Sequence, residues 1–139
     1  MKENQENVSF YESEIKRIRA ICFSNDKQLE TVIATKNFID TNYEKELKLE
    51  FLSHIRFTSK YHLLRLFKRY YGITPKQYLI EKRIEKSKEL LSKGVSVSET
   101  CISVGFESIG SFSTLFKTKT GKSPSEFQKE QLSRNKLTS

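Results

Sequence analysis

The segment SKYHLLRLFKRYYGITPKQY, residues 59 to 78, occurs twice in this chain in related form. Its second copy, SIGSFSTLFKTKTGKSPSEF at residues 108 to 127, aligns with the first without a gap at a spacing of 49 residues. The matching positions are Ser59/Ser108, Leu66/Leu115, Phe67/Phe116, Lys68/Lys117, Gly72/Gly121, Pro75/Pro124 and Tyr78/Phe127. Apolar residues in the first copy recur at the spacing of one helix face, so the chain is predicted to contain one helical unit twice.

Each copy carries the signals that start and stop helices. In the first copy, Ser59 can cap a helix start, and Gly72 can adopt the left-handed conformation that ends a helix. Pro75 suits the first position of the following helix, and Thr74 and Gln77 have the spacing of a capping box. The second copy repeats these signals, so a helix is predicted on both sides of each glycine.

A further short helix is predicted in front of each copy. Ser96 and Glu99 have capping-box spacing ahead of TCISVGFES, where Gly105 makes the turn into the next helix. KLEFLSHIRFTS occupies the same place before the first copy, one residue shorter, with Phe57 near the position of Gly105. Helix, tight turn and helix, found twice, predict two helix-turn-helix motifs. They are expected at about 47–72 and 96–121, joined by a linker helix at 75–91.

The predicted helix of the first copy has a mixed outward face, made of Tyr61, Leu64, Arg65 and Lys68. In a major groove, aliphatic side chains meet thymine methyl groups, arginine pairs with guanine O6 and N7, and lysine reaches phosphate. This face therefore favours DNA contact. The alternatives are a solvated face with a stray leucine, Arg65 paired with a carboxylate such as Glu81, and Leu64 packed against the N-terminal segment.

The length of the linker helix suits two recognition helices on one duplex. Its 17 residues span about 25 Å, and a flanking helix adds about 10 Å, which gives a separation of about 35 Å. Successive major grooves on one face of a duplex lie about 34 Å apart. A single chain can thus place one recognition helix in each of two adjacent grooves.

The charge distribution points to a polyanionic partner. The 139-residue chain has a formal net charge of +8, and residues 1 to 28 contain five cations and five anions. The whole excess therefore lies in residues 29 to 139. A basic surplus confined to the predicted domain suggests nucleic acid or an anionic membrane surface as the partner.

The sequence contains few features of an enzyme or of an exported protein. Cys22 and Cys101 are far apart and accompany only His54 and His62, without metal-ligand spacing, so reduced thiols in a cytosolic protein are expected. We find no secretory signal, no apolar run of 18 residues, no glycine-rich phosphate loop and no catalytic triad pattern. A cytoplasmic, non-enzymatic protein without metal, cofactor or membrane contact is therefore expected.

The chain resembles the C-terminal DNA-binding domain of the arabinose-operon regulator (AraC/XylS) family of bacterial transcription factors. The resemblance covers about residues 29 to 128 and rests on HLLRLFKRYYGITPKQYL, Arg83, Leu90-Leu91, GVSVSETCISVGFES, GSFSTLFK and GKSPSEF. It implies an all-α, homeodomain-like fold of seven helices in two helix-turn-helix subdomains joined by a long central helix. It also implies a sequence-specific transcriptional regulator, and activation is the expected mode of regulation.

The resemblance assigns candidate DNA contacts. Base-facing positions fall on Lys60, Tyr61, Leu64 and Arg65 in the first motif and on Ile109, Gly110, Ser111, Ser113 and Thr114 in the second. Candidate phosphate contacts are Lys68, Lys76, Lys117, Lys119 and Lys122. Many family members carry arginine where this chain has Thr114. At packed positions usually filled by alanine or isoleucine the chain has Ser53, Ser87, Thr100 and Cys101, which are expected to loosen packing slightly.

The two ends of the chain are less constrained by the pattern. Residues 1 to 28 are an N-terminal extension in which Ile15, Ile18, Ile21 and Cys22 predict a short amphipathic helix docking on the domain. After a last helix at 124–132, residues 133 to 139 are predicted to be a disordered tail.

The expected partners follow from this domain organisation. They are double-stranded DNA, bound by the chain as a monomer, and RNA polymerase. No small-molecule effector domain is expected. The alternative function is a protein-interaction module that antagonises or partners a related regulator. A DNA-repair alkyltransferase is disfavoured, since it needs a cluster of zinc-binding cysteines.

Overall fold

A computed structural model of the protein describes the backbone of residues 2 to 138, and the side chains of residues 10 to 137 except residue 23. Across this range the chain forms seven α-helices and no strands, which confirms the all-α prediction. They are α1 (Lys2–Asn42), α2 (Leu49–Ile55), α3 (Lys60–Tyr71), α4 (Pro75–Ser92), α5 (Val97–Val104), α6 (Ile109–Thr120) and α7 (Pro124–Thr138). None of the described helices is both long enough and apolar enough to cross a membrane.

The capping signals read from the sequence are present at the helix ends. Ser59 Oγ accepts a hydrogen bond from the His62 backbone at 3.1 Å, and Gly72 ends α3 with φ of 77°. Thr74 and Gln77 form the full capping box at the start of α4. The second copy repeats this arrangement, and Gly121 ends α6 with φ of 82°. Local hydrogen bonding therefore sets the helix ends in both repeated units.

Two apolar clusters form the core, one in each subdomain. The first contains Val32, Ile39, Leu52, Leu63, Leu66, Phe67 and Leu79. The second contains Ile84, Leu91, Cys101, Val104, Phe106, Phe112 and Phe116. Helix α4 contributes to both clusters, and the ring of Tyr43 packs against both. The two helix-turn-helix units are therefore attached to one shared helix.

Hydrogen bonds from Arg83 join the two subdomains. Its Nε donates to the carbonyl oxygen of Tyr43 at 2.6 Å, and one Nη donates to that of Lys45 at 2.8 Å. The guanidinium also lies 5.5 Å from the ring centroid of Phe106 in the second subdomain. Burial lowers the pKa of Arg83, and the nearby carboxylates of Glu107 and Glu44 oppose this shift. One side chain on α4 thus holds the α1–α2 connection and the second motif together.

The N-terminal extension is helical, as expected, but it does not form a separate short helix. Helix α1 instead runs without interruption from the extension into the first subdomain. The chain has no glycine or proline between residues 2 and 42, so nothing stops the helix between the two parts. Ile15, Ile18 and Ile21 do not dock on the domain, because about half of each side chain is exposed. Residue 1 of the predicted extension lies outside the described residues.

The predicted disordered tail is also wrong over the range that the structure covers, since α7 continues to Thr138. An ion pair of 2.8 Å joins Arg134 to Glu130 one turn earlier. Gln128 donates from Nε2 to the carbonyl oxygens of Leu91 and Val95 at 3.2 and 2.6 Å, which attaches α7 to the end of α4. Residue 139 lies outside the described range.

Candidate nucleic-acid interface

Helix α3 is anchored by one face and presents the other to solvent. Leu63, Leu66 and Phe67 are buried in the first cluster. On the opposite side Tyr61 is 67% exposed, and Arg65 is also exposed. Arg65 makes no ion pair with Glu81 or any other described residue, so its guanidinium is available to a partner.

Leu64 and Lys60 lie at the edge of this face rather than at its centre. Leu64 is half-buried and lines the groove between the two motifs. Lys60 Nζ lies 3.5 Å from Glu50 Oε1 and 5.3 Å from the ring centroid of Tyr61. Lys60 therefore contacts two groups of its own motif, and one of them is the aromatic ring on the outward face.

Helix α6 has the same plan with smaller groups. Phe112 and Phe116 are buried in the second cluster. The residues exposed at its N-terminal half are Ile109, Gly110, Ser111 and Thr114, whereas Ser113 is half-buried at the flank. No cation lies among these positions, so the first two turns of α6 offer hydroxyl, backbone and apolar groups.

An open groove of about 940 Å³ separates the two motifs. Leu64 of α3, Lys76 at the start of α4 and Ser111 of α6 all line it. The structure thus brings candidate contacts of both motifs to one concave surface. Tyr61, Arg65, Gly110 and Thr114 lie outside the groove, on the exposed faces of their helices.

The predicted phosphate contacts fall into two groups. Lys68, Lys76, Lys117 and Lys119 are exposed and form no ion pair with a described residue. Lys122 instead pairs with Glu130 on α7. The hydrogen bond and charge of Lys122 lower the pKa of Glu130. Four lysines are therefore free to meet an anion, and the fifth has to exchange an existing partner.

Two further residues share these faces, and the sequence reading missed both. Arg69 is exposed one turn after Arg65, and Thr118 is exposed one turn after Thr114. The signal was present, because residues four apart lie on the same face of a helix. Arg69 and Thr118 also occupy equivalent places in the two copies.

A polar network attaches α1 to the base of the first motif. The Tyr78 hydroxyl donates to Asp40 Oδ1 at 2.5 Å, and Lys36 Nζ donates to Asp40 Oδ2 at 3.1 Å. Burial tends to raise the pKa of Asp40, but the hydrogen bonds from Tyr78 and Lys36 outweigh it and leave that pKa below its usual value. The Tyr78 ring packs against Phe67 at 5.7 Å, so this network supports the core face of α3.

The thiols show no arrangement for metal binding. Cys101 is buried, its Sγ lies 3.7 Å from the Phe106 carbonyl oxygen, and burial raises the pKa of its thiol. Cys22 is exposed on α1. Within the part of the chain that the structure describes, no three His, Cys, Asp or Glu side chains lie close enough to hold a metal ion.

Two short helices with a tight turn, present twice and attached to one linker helix, define a helix-turn-helix protein. A family model described as "Helix-turn-helix domain" matches residues 52–130, more than half of the chain. The chain belongs to the AraC/XylS family of transcriptional regulators through this domain.

Two relatives agree with this assignment. The bifunctional transcriptional activator/DNA repair enzyme AdaA of Bacillus subtilis is 37% identical over 92 residues, which cover 66% of this chain and 44% of AdaA. The probable transcriptional regulator LumQ of Photobacterium leiognathi is 30% identical over 113 residues, which cover 79% of this chain and 46% of LumQ. The chain thus spans less than half the length of either relative.

A solved structure with the same fold is the DNA-binding domain of AdpA, a global transcriptional factor, in complex with a target DNA. It superposes with a TM-score of 0.71 at 23% identity, over 74% of this chain and 94% of that one. At this identity the likeness concerns the fold.

Proposed function

We propose that the protein is a sequence-specific transcriptional regulator that binds double-stranded DNA by inserting α3 and α6 into successive major grooves. The observation that carries this proposal is the presentation of two equivalent, capped helices beside one groove, with Tyr61 and Arg65 exposed on the first and Arg65 forming no ion pair with a described residue. A solvated helix does not need an exposed tyrosine beside an unpaired arginine. A major groove offers partners for both.

The proposed base contacts differ between the two motifs. In α3, Arg65 pairs with a guanine, Tyr61 and Leu64 make apolar contacts, and Lys60 lies beside Tyr61. In α6, Ile109 offers an apolar contact, and Gly110, Ser111, Ser113 and Thr114 offer short groups that permit close approach of the helix to the groove. The first motif therefore specifies its half of the site more strongly, and the second relies more on DNA shape.

Lysines on both motifs hold the protein on the phosphate backbone in this proposal. Lys68, Lys76, Lys117 and Lys119 are exposed cations near the two helices, and Lys122 joins them after leaving Glu130. Arg69 adds a contact from α3. Backbone contacts of this kind set the register of the protein without reading sequence.

The wider activity is proposed on the same basis. One chain fills one site, the regulator acts in the cytoplasm through RNA polymerase, and it needs no bound small molecule, cofactor or enzymatic step. AdaA is described as a bifunctional activator and repair enzyme. This chain matches less than half of AdaA, and the family model that it matches is a helix-turn-helix domain. We therefore transfer only the activity as a transcriptional regulator, not the repair activity.

The experiment is selection of a duplex from a random library, followed by binding titrations with the selected duplex at several salt concentrations. With six to eight phosphate contacts, the logarithm of the affinity should fall with the logarithm of salt with a slope of about −5 to −7. A scrambled duplex of equal length is the control and should bind far more weakly. A slope near zero, or no selected sequence, contradicts the proposal.

A protein-interaction module is the second candidate function, because α6 lacks cations and large polar groups at its first two turns. Such a module would bind a related regulator and leave DNA unbound. The same titration separates the two functions: an antagonist shows no sequence preference on any duplex and co-purifies with a regulator of the same family.

A further inference from the structure

Helix α1 carries an apolar stripe that the rest of the chain does not cover. We define the α1 stripe as Tyr11, Ile15, Ile18, Cys22, Asn25, Leu29 and Ile33. Its large apolar residues are between 41% and 65% exposed, and Cys22 and Asn25 are exposed as well. An uncovered row of this length marks an interaction surface.

The spacing of the α1 stripe is that of a coiled coil. From Tyr11 to Leu29 the successive steps are four, three, four, three and four residues. Apolar residues at alternating steps of three and four are the core positions of a heptad repeat, and they form a seam that a second helix can cover. A surface helix that packs on a globular domain has further apolar residues beside these positions. Between Tyr11 and Leu29 the described side chains include one such residue, Ile21, which is 52% exposed at the g position.

The DNA-binding domain uses another face of the same helix. Val32, Thr35 and Ile39 are the residues of α1 buried in the first subdomain. At 3.6 residues per turn, their face lies roughly a quarter of a turn away from the α1 stripe. Leu29 and Ile33 remain uncovered although they lie beside the domain. A helix lying along the α1 stripe is therefore not blocked by the domain of its own chain.

We propose that the α1 stripe is the dimer interface of this protein and that its occupant is the α1 helix of a second copy, in a parallel, in-register coiled coil. The charge balance of the N-terminal segment supports a second copy of this chain as the occupant. Residues 1 to 28 hold equal numbers of cations and anions, so two such segments do not repel each other through net charge. The basic excess lies in the domain, beyond the helical seam.

Flanking charges support the parallel arrangement. In the heptad numbering Glu14 takes a g position and Arg19 the following e position, which face each other between parallel helices. Glu14 of each copy therefore meets Arg19 of the other, while it keeps its bond of 3.0 Å to Arg17 in its own helix. The antiparallel register that aligns Ile18 with Cys22 would instead bring Arg19 against Arg19.

Two polar core residues fit the same arrangement. Cys22 and Asn25 face their own counterparts when the helices are parallel and in register. An asparagine pair at a core position favours one register, since other registers leave the amide against apolar groups. Facing Cys22 thiols provide a chemical readout, because oxidation removes two electrons and two protons from the pair and joins the copies covalently.

A dimer of this kind carries two DNA-binding units. One chain still fills one site as proposed above, but two sites are held by one particle, and binding at one raises the local concentration at the other. The dimer interface itself does not depend on DNA binding, so it is tested in the absence of DNA.

The experiment is sedimentation equilibrium of the full chain over a range of concentrations under reducing conditions. We expect a mass of twice 16.3 kDa at the upper end of the range. Ile15→Lys with Ile18→Lys places charges in the seam and should leave a monomer at concentrations at which the parent is fully dimeric. The matched control is Ser13→Lys with Ala20→Lys, which puts the same charges on the opposite face of the helix and should remain dimeric.

Oxidation by diamide tests whether the two helices are parallel. Diamide takes up the two electrons and two protons and is itself reduced to a hydrazine. The parent should form a covalent dimer within the non-covalent one, and Cys22→Ser should not. The proposal is overturned if the parent is a monomer at every concentration. It is also overturned if the lysine pair on the opposite face weakens the dimer as much as the pair in the seam. A dimer whose Cys22 residues fail to join overturns the parallel arrangement.

Discussion

Gly105 lies directly against the backbone of Glu44: a Cβ at position 105 would stand 2.7 Å from the Glu44 carbonyl oxygen. Gly105 makes the turn of the second helix-turn-helix motif, and Glu44 belongs to the connection that follows α1. Together with the Arg83 hydrogen bonds, this close approach fixes one motif relative to the other. Gly105 also has φ of 99°, a conformation that other residues rarely adopt.

The first prediction compares two glycines with positive φ. Gly94→Ala, at φ of 89° with open space around it, should lower the free energy of unfolding by about 1 to 2 kcal/mol from backbone strain alone. Gly105→Ala adds a clash with backbone atoms that cannot rotate away, so its loss should be clearly larger, about 3 kcal/mol or more. Urea denaturation of both variants measures the difference. Equal losses would mean that the Glu44 contact yields at little cost.

The second prediction concerns Phe57. Within the described part of the chain it is the one residue other than glycine with a positive φ, at 54°. Its side chain is 98% exposed, so it gains almost nothing from packing while its backbone is strained. Phe57→Gly should raise the free energy of unfolding by about 0.5 to 1 kcal/mol. Phe57→Ala is the control: it removes the ring but keeps the Cβ, and should change stability little. If both variants are equally stabilised, the ring and not the backbone is the source of strain.

The third prediction is a pH dependence that arises from Asp40 and Tyr78. Since the folded-state pKa of Asp40 lies below its unfolded value, its stabilisation is present above about pH 4 and is lost as pH falls through the folded-state pKa. Tyr78→Phe should cost about 1 to 2 kcal/mol at pH 7. The difference from the parent should shrink in acid.

Tyr71→Phe is the matched control for Tyr78→Phe. Both rings pack against Phe67, but the Tyr71 hydroxyl makes no hydrogen bond to a described residue. Its loss should leave both stability and the acid limb of the unfolding curve nearly unchanged. A Tyr78→Phe effect that stays constant down to the acid limit would show that Asp40 is not the group involved.

The fourth prediction concerns two buried threonines. Thr100 Oγ1 has no hydrogen-bond partner in the described part of the chain, whereas Thr35 Oγ1 donates to the Thr31 carbonyl oxygen at 2.8 Å. Thr100→Val removes an unsatisfied hydroxyl and should stabilise the protein by about 1 kcal/mol. Thr35→Val removes a made bond and should not stabilise it. Thermal unfolding of the two variants measures the difference. If Thr100→Val is the less stable of the two, Thr100 has a hydrogen-bond partner such as a buried water.

The fifth prediction tests the unequal roles that we propose for α3 and α6 in DNA binding. Arg65→Ala should cost about 1 to 3 kcal/mol of binding free energy and relax the preference for one guanine. Ser113→Ala should cost clearly less, about 1 kcal/mol at most, because Ser113 is half-buried and offers a single hydroxyl. Lys117→Ala should weaken all duplexes alike and make the salt slope shallower by about 1.

Titration of these three variants against the selected site and its single-base substitutions, at two salt concentrations, measures all three effects. Equal losses for Arg65→Ala and Ser113→Ala would contradict the asymmetry. An Arg65→Ala loss that is the same for every base would mean that Arg65 contacts phosphate.

Local signals made much of this fold predictable. Ser59, Gly72 and Thr74 act within a few residues of their own position, so the repeated helix ends could be read from the sequence. The absence of glycine and proline from residues 2 to 42 permitted a continuous α1, but the end of that helix at Asn42 has no such signal and depends on packing. The contact of Gly105 with Glu44 joins residues 61 positions apart, and no short-range pattern encodes it.

The candidate site was predictable from the sequence to a similar extent as the fold. Helical spacing separated the buried Leu63 and Leu66 from the exposed Tyr61 and Arg65. It could not show that Leu64 and Ser113 lie at the flanks, since their burial depends on the neighbouring subdomain. The pairing of Lys122 with Glu130 likewise depends on how α7 returns to the domain.

The attachment of both motifs to α4 has a consequence for the operator, if α3 and α6 read DNA as proposed. An inserted base pair between the half-sites moves one of them by about 3.4 Å and turns it by about a tenth of a helical turn. A protein whose motifs are joined by a flexible linker could follow that change, but this one has a rigid helix, Arg83 and Gly105 between them. Different operators of this protein can therefore differ in sequence, but all of them should have the same number of base pairs between the two half-sites.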